Sequence, residues 1–464
     1  MISTPTGDVN GRGYCGSGGH VVQKGAPPTS VDQSPALKAE DPGPAMRASF
    51  LHIGDVHLGN DQYGRKERAD DFARAFYFAV EYAIRRRVDF VLIAGDLFER
   101  STLDPVTFDQ AIYGLEDLRQ AGIPVIDIAG NHDRARYGQG RAWVESLGLH
   151  GFLHYLDAVG PDGLRLTPWS ADEGSGGYID LKGIRLVGMR FLGASTGRAV
   201  RELATQLQSL QGADRPYTVA MIHAGLDGIV PHFRAELAYE QLAPLRDLVD
   251  YVALGHIHKH FVREDWVHNP GSLETWNVAE VDWDRGFLHV EVDDTLQPPH
   301  RVRLVQPPRR PFIRQRLDVE PCREPGELLA LLRRGISRWV EERPAESPVV
   351  HLTLTGRLRF DRHYLDLGAL EAEVVSALSP LVVQIRDHTD ETAFQVRSSE
   401  DGEPVDRSVL ELDVLRQLFA NDEQKVHRAT GWARMAQSLK QAALAKESPE
   451  SIAEMVRRQM AELS

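Results

Sequence analysis

From residue 47 onward the chain alternates short apolar runs with stretches of helical apolar spacing. ASFLHIGDVHLG reads as an apolar strand entering a polar loop, and DDFARAFYFAVEYAIRRR sets Phe72, Ala75, Phe76, Ala79 and Ala83 on one helical face. VDFVLIAGDLF is a continuous apolar run, the pattern of a strand buried on both faces. VTFDQAIYGLEDLRQAG predicts a helix closed by Gly122, and IPVIDIAGNHD returns to strand then loop. This order predicts an α/β domain. Later segments, YIDLKGIRLVGMR, TVAMIHAG, YVALGHIH and GFLHVEVD, read as strands without intervening helices, so a mixed sheet arrangement is expected.

Beyond these strands the pattern changes. QPPHRVRLVQPPRRP is rich in Pro and Arg and reads as a linker or an extended crossing strand. Helix GELLALLRRGISRWVEER, strand PVVHLTLTG, helix LGALEAEVVSAL and strand LVVQIRD follow as a small α+β unit. After a polar stretch, VLELDVLRQLFAND has helical spacing. In SPESIAEMVRRQM, Ser448 is placed as N-cap, Pro449 takes the first helical position, and Ile452, Met455, Val456 and Met460 share a face. Residues 1–46, rich in Gly, Pro, Ser and Thr, bury too little apolar surface to offset their ordering entropy and are expected to be a flexible extension. The expected units are therefore 1–46, 47–298, 299–395 and 396–464.

A length of 464 residues fits two or three domains, and 42% hydrophobic with 26% charged residues supports a sizeable core. The net charge of −14 argues against a broadly basic surface for nucleic acid, yet leaves room for a local basic groove, and carboxylates that hold cations count toward it. Cys15 and Cys322 lack CxxC spacing, which argues against a zinc–thiolate site or a disulfide framework and fits a reducing, cytoplasmic context. No apolar run approaches the roughly 18 residues of a membrane span, and the first residues lack the basic-then-apolar order of a secretory signal.

Five short motifs occur in order: GDVH (Asp55, His57), GD (Asp96), GNHD (Asn131, His132, Asp133), the histidine of MIHAG (His223) and GHIH (His256, His258). Each sits just past an apolar strand, where loops of neighbouring strands converge. Alone, a Gly-Asp pair is ordinary turn chemistry and a DxH is common; five in order at strand ends are not. Carboxylate, imidazole and amide oxygen suit Mn, Fe, Mg or Zn better than soft copper. In DxH and HxH, residues at i and i+2 would share one side of an extended chain. Asp96, with two oxygens and Gly95 beside it, is the natural bridge between two ions. His132 is left for proton transfer, with Asp133 to orient it.

The ordered set resembles the calcineurin-like metallophosphoesterase superfamily. HIGDVHLG, VDFVLIAGDLFERSTLDP, AGNHD, LGHIHK and NPGSLETWNVAEVDWDRGF are similar to its DNA-repair nuclease branch, which includes bacterial SbcD and the meiotic-recombination nuclease. The resemblance covers about residues 50–292 strongly and the small α+β unit weakly. It implies a four-layer α-β-β-α sandwich with an α+β capping domain and a C-terminal helical segment. It also implies one divalent ion, manganese foremost, on Asp55, His57, Asp96 and His258 and another on Asp96, Asn131, His223 and His256. His132 would protonate the departing 3′-oxygen, assisted by Asp133, in a two-metal phosphodiester hydrolysis.

The implied partners are DNA, an SMC-like ATPase whose coiled coil the C-terminal helices would grip, and a second copy of the chain; location would be cytoplasmic, on the nucleoid in a prokaryote. Those helices could equally pack on their own domain. Candidate phosphate contacts are Arg65, Lys66, Arg68, Arg134, Arg136, Arg141 and Lys259, with Arg301, Arg303, Arg309 and Arg310 along the Pro-rich segment; most surface cations are only solvated. His52 reads as a packing histidine, His260 as a surface or groove residue, and Trp276 and Trp283 as packing residues. Two alternatives stand beside the nuclease: a phosphatase or cyclic-nucleotide phosphodiesterase of the same fold, and a scaffold that binds DNA ends.

Overall fold

A computed structural model describes residues 46–135, 140–160, 163–210, 215–342, 347–390, 407–420, 428–445 and 447–463. Residues 1–45 of the expected flexible extension, the polar stretch after residue 390 and Arg136 lie outside them.

Two sheets stand face to face. From edge to edge, the strands of the seven-stranded sheet begin at His300, Phe287, Arg47, Phe90, Val125, His154 and Ser175. Those of the six-stranded sheet begin at Phe261, Val267, Tyr251, Tyr217, Ile184 and Tyr178. Both are mixed. Arg47–Ile53 runs parallel to Phe90–Ile93 and antiparallel to Phe287–Asp293, whereas Tyr217–His223 runs parallel to both its neighbours.

The continuous apolar runs follow from this layering, because successive side chains point to opposite faces and both faces are covered. Phe90 and Leu92 enter the core between the sheets, while Val91 and Ile93 pack beneath the helices Lys66–Arg86 and Pro105–Gln120. Tyr251 and Ala253 do the same in the second sheet; Val252 and Leu254 face the helix Thr196–Leu210. The layers are therefore α-β-β-α, as expected. Helix ends also follow the sequence. Asp104 accepts from Val106 N at 2.9 Å and Thr107 N at 3.0 Å ahead of Pro105, and Gly122 follows the same helix with φ 72°.

The Pro- and Arg-rich segment resolves as a strand. His300–Val305 is the edge of the large sheet, paired with Phe287–Asp293, so that sheet continues past residue 298. The small unit orders its elements β-α-β-α-β, with parallel strands Phe312–Asp318, Val349–Arg357 and Val382–Asp390 and helices Pro325–Glu342 and Leu367–Leu378. It meets the first unit through polar contacts. Tyr63 Oη lies 2.7 Å from His351 Nε2, and Arg310 donates to Asp71 at 2.5 and 2.9 Å. The helices Arg407–Ala420, Ala429–Leu444 and Pro449–Leu463 follow; the middle one has no counterpart in the sequence reading. None of the described helices is long and apolar enough to cross a membrane.

His52 is a packing residue, as expected. It is fully buried, with Nδ1 3.0 Å from Tyr251 Oη and Nε2 3.0 Å from the Leu254 carbonyl. Burial holds its imidazole down at about 3, whereas an unfolded chain takes that proton near pH 6.5. The neutral ring therefore contributes stability that is complete above about pH 6.5 and is lost as pH falls toward 3, at about 1.4 kcal/mol per pH unit. The urea midpoint is expected to drop between about pH 7 and pH 5, and less so in His52→Gln. Equal slopes in the two chains would contradict neutral burial.

Candidate metal centre

The C-terminal ends of strands from both sheets deliver the motif residues. The expected extended geometry of DxH and HxH does not occur. Asp55 has φ 53°, His57 54°, Asp96 55° and His256 86°, a left-handed region that side chains other than Gly seldom occupy. Asp55 and His57 share the site because their turn is laced to the next one. Asp55 N donates to Gly95 O at 3.2 Å, Val56 N and His57 N both donate to Asp96 O at 3.0 Å, and Leu58 N donates to Leu97 O at 3.0 Å. Gly95 and Gly130 permit the close approach. A Cβ on Gly95 would lie 2.4 Å from His223 Nδ1, and one on Gly130 would lie 2.0 Å from Asp96 Oδ1.

Donor atoms of Asp55, His57 and His258 lie within 4.8 Å of one another, as do those of Asp96, His223 and His256. Asn131 Oδ1 is 3.1 Å from His223 Nε2 and 2.8 Å from His256 Nδ1. Asp96 groups with His57 and His132 as well, so it stands between the two sets. All seven expected ligands meet here.

The imidazoles are prepared for cations. His57 Nδ1 lies 2.9 Å from Glu99 Oε2, His258 Nδ1 lies 3.2 Å from both Glu280 oxygens, and His223 Nδ1 lies 2.7 Å from Ala94 O. His256 Nε2 lies 3.4 Å from Glu236 Oε1. A neutral ring that donates from one nitrogen offers a lone pair on the other, the arrangement around most bound divalent metals. His57 Nε2 and His258 Nε2 face each other at 3.1 Å, a contact between lone pairs that a positive charge would relieve. Burial alone would push the His223 imidazole down, but Asp96 beside it pulls it up to about 10. Burial would raise the Asp96 carboxyl, and His223 instead holds it well below the usual carboxylate range. The donor set fits two divalent ions.

Residues 48–260 match the family description calcineurin-like phosphoesterase. Over those residues the chain is similar to calcineurin-like phosphoesterases. It is similar to the DNA double-strand break repair protein Mre11 of Aeropyrum pernix, at 28% identity over 66% of this chain and 72% of that protein. The Archaeoglobus fulgidus protein of the same name is 34% identical over 50% of this chain and 51% of its own length. An uncharacterized metallophosphoesterase of Bacillus subtilis, YhaO, is 26% identical over 53% of this chain and 57% of its own. The chain thus spans roughly half the length of two of these three.

Within this matched region, His132 and Asp133 have separate tasks. His132 Nδ1 lies 2.7 Å from the Glu99 carbonyl, which leaves Nε2 available to a substrate. Asp133 does not orient that ring. Its carboxylate accepts from Leu97 N at 3.3 Å, Phe98 N at 3.1 Å and Gly130 N at 3.0 Å, bracing the loops on which Asp96 and Asn131 sit. Sequence reasoning also missed Glu99, Glu236 and Glu280, whose spacing from the histidines carries no local signal. Trp276 packs, as expected, but against the site: its Nε1 donates to Glu99 Oε2 at 2.9 Å and its ring lies 5.5 Å from that of His258.

The basic candidates divide. Arg68 is fully buried, donating to Asp71 at 2.6 Å and to the Thr275 carbonyl at 2.9 Å, so it is a brace and meets no DNA. Arg310 is engaged with Asp71, and Arg303 with Tyr82. Arg65 and Lys66 are exposed at the start of their helix, and Arg65 pairs with Glu67. Arg134 is exposed over the Phe191 ring, which itself lies 5.3 Å from that of His256. Lys259 is half-buried, 3.4 Å from the Ile229 carbonyl, and His260 Nδ1 lies 2.9 Å from Asn269 O.

Asp133→Ala strands three buried amides at about 1–3 kcal/mol each. It is therefore expected to lower the free energy of unfolding by several kcal/mol in urea, while His132→Ala changes it by less than about 1 kcal/mol. Equal stability of the two variants would contradict the bracing role.

Proposed function

We propose that the chain is a manganese-dependent DNA nuclease of double-strand-break repair, hydrolysing phosphodiesters at the centre built on Asp55, His57, Asp96, Asn131, His223, His256 and His258. The observation that carries this reading is the convergence of these seven donors beside His132, a ring fixed at one nitrogen and open at the other. The archaeal relatives, which are DNA double-strand break repair proteins, supply the substrate class.

Divalent ions, when bound, supply charge that stabilises phosphoryl transfer and acidifies water. The chain's own groups do the remaining work. Glu99 faces two rings at once: its carbonyl holds His132 Nδ1, and its carboxylate lies 2.9 Å from His57 Nδ1. His132 Nε2 is then placed to protonate the departing oxygen, a contribution of about 10²–10⁴ in rate. Arg134, Lys259, Arg65 and Lys66 are the described cations proposed to meet phosphates. The C-terminal helices, with Leu418 and Leu444 exposed, are proposed to dock on an SMC-like ATPase, and the phosphoesterase domain to pair with a second copy.

Purified protein with Mn2+ is tested on end-labelled linear and hairpin DNA. His132→Ala is expected to keep its two ions by elemental analysis and to lose about 10²–10⁴ of the cleavage rate; wild-type cleavage would remove His132 from the mechanism. Asp96→Ala is expected to bind fewer than two ions. Hydrolysis of a chromogenic phosphodiester with none of DNA would reassign the site to a phosphodiesterase or phosphatase.

A further inference from the structure

A separate cluster lies at the opposite end of the sandwich. Tyr217 opens the strand that ends in His223, and Asp265 precedes the strand Val267–Asn269, so both sit roughly 20 Å from the catalytic loops. Donor atoms of Asp265, His268 and His300 lie within 4.8 Å of one another. His268 comes from the six-stranded sheet and His300 from the edge of the seven-stranded one.

His268 is fully buried, its ring stacked on Tyr251 at 4.2 Å, and neither ring nitrogen makes a hydrogen bond of good geometry, although the Asp265 backbone lies beside the ring. The Asp265 carbonyl nearby is engaged by His300 Nε2 at 3.1 Å. An imidazole sealed from water with neither nitrogen well paired is costly unless something else takes up a lone pair. His300 Nε2 lies 3.9 Å from Asp265 Oδ1, and its Nδ1 lies 2.7 Å from Tyr217 Oη. His300 Nε2 donates to the Asp265 carbonyl and Nδ1 accepts from Tyr217 Oη; an ion at Nε2 would displace that proton, and a ring protonated on Nδ1 would then donate to the tyrosine oxygen and turn its Nε2 lone pair toward Asp265. That is the outer-shell contact that orients a ligating histidine. Asp265 is 56% exposed on its side chain, which gives an ion a route from solvent.

We propose that Asp265, His268 and His300 form a structural metal site for a zinc-class divalent ion. Two imidazoles and one carboxylate are borderline donors that favour zinc over calcium or magnesium. The ion ties the Glu264–Asp265 turn of one sheet to the edge strand of the other. It takes no part in catalysis, and the proposal is independent of the substrate assigned to the main centre.

The full chain and Asp265→Ala are stripped with chelator and titrated with Zn2+, and bound zinc is counted by elemental analysis. Because Asp265 is exposed, its replacement leaves the core intact. The variant is expected to hold one equivalent less, or to bind one equivalent at least tenfold more weakly. Co2+ titration is expected to show a four-coordinate visible band that shrinks in the variant. Equal zinc stoichiometry and superimposable titrations in the two chains overturn the proposal.

Discussion

The centre depends on four side chains held where the backbone resists them. Asp55, His57, Asp96 and His256 all have positive φ, a conformation costing about 1–3 kcal/mol for such residues. Two buried sheets offset that strain by fixing the strand ends from which the turns emerge. The backbone bonds between residues 55–58 and 95–97 and the three amides held by Asp133 then leave the turns no other arrangement. With the turns fixed, two carboxylates and four imidazoles face one another, a collection that repels itself without positive charge. The neighbouring carboxylates, Glu99, Glu236 and Glu280, set which imidazole nitrogen points inward. Metal affinity is thus a consequence of backbone geometry first and of ligand identity second.

The same centre is tied to the small β-α-β-α-β unit by buried charge. His258 rests on Glu280, Glu280 on Arg285, and Arg285 on Ser272, the last three within the segment between Asn269 and Phe287. A parallel chain runs from the Thr275 carbonyl through Arg68 and Asp71 to Arg310, which leads into the small unit. Removing one member of a buried pair costs about 3–5 kcal/mol because its partner is left uncompensated. This unit is therefore placed against the metal-centre loops by specific contacts and not by a broad apolar seam.

Much of this was legible in the sequence. Continuous apolar runs such as VDFVLIAGD announced strands covered on both faces, and polar motifs after each run announced the convergence. Asp55 with His57, and His256 with His258, do face one centre, but tight turns and not extended loops present them. Asp133 looked like a partner for the adjacent His132, but adjacency in sequence places the two side chains on different tasks. Sequence alone makes Arg68 a surface cation, because its burial depends on Asp71, Glu274 and Phe312, which only the tertiary fold assembles. His300–Val305 was hidden because Pro and Arg flank it, and edge strands tolerate both. The glutamates behind the histidines had no local signature at all.

The central claim is that these turns build one site for two ions with Asp96 between them. Anomalous diffraction at the manganese edge from crystals grown with Mn2+ tests it directly. The account requires two peaks, roughly 3.5–4 Å apart, with one Asp96 oxygen toward each and His132 bound to neither. A single peak, or two peaks with Asp96 on only one of them, would contradict it.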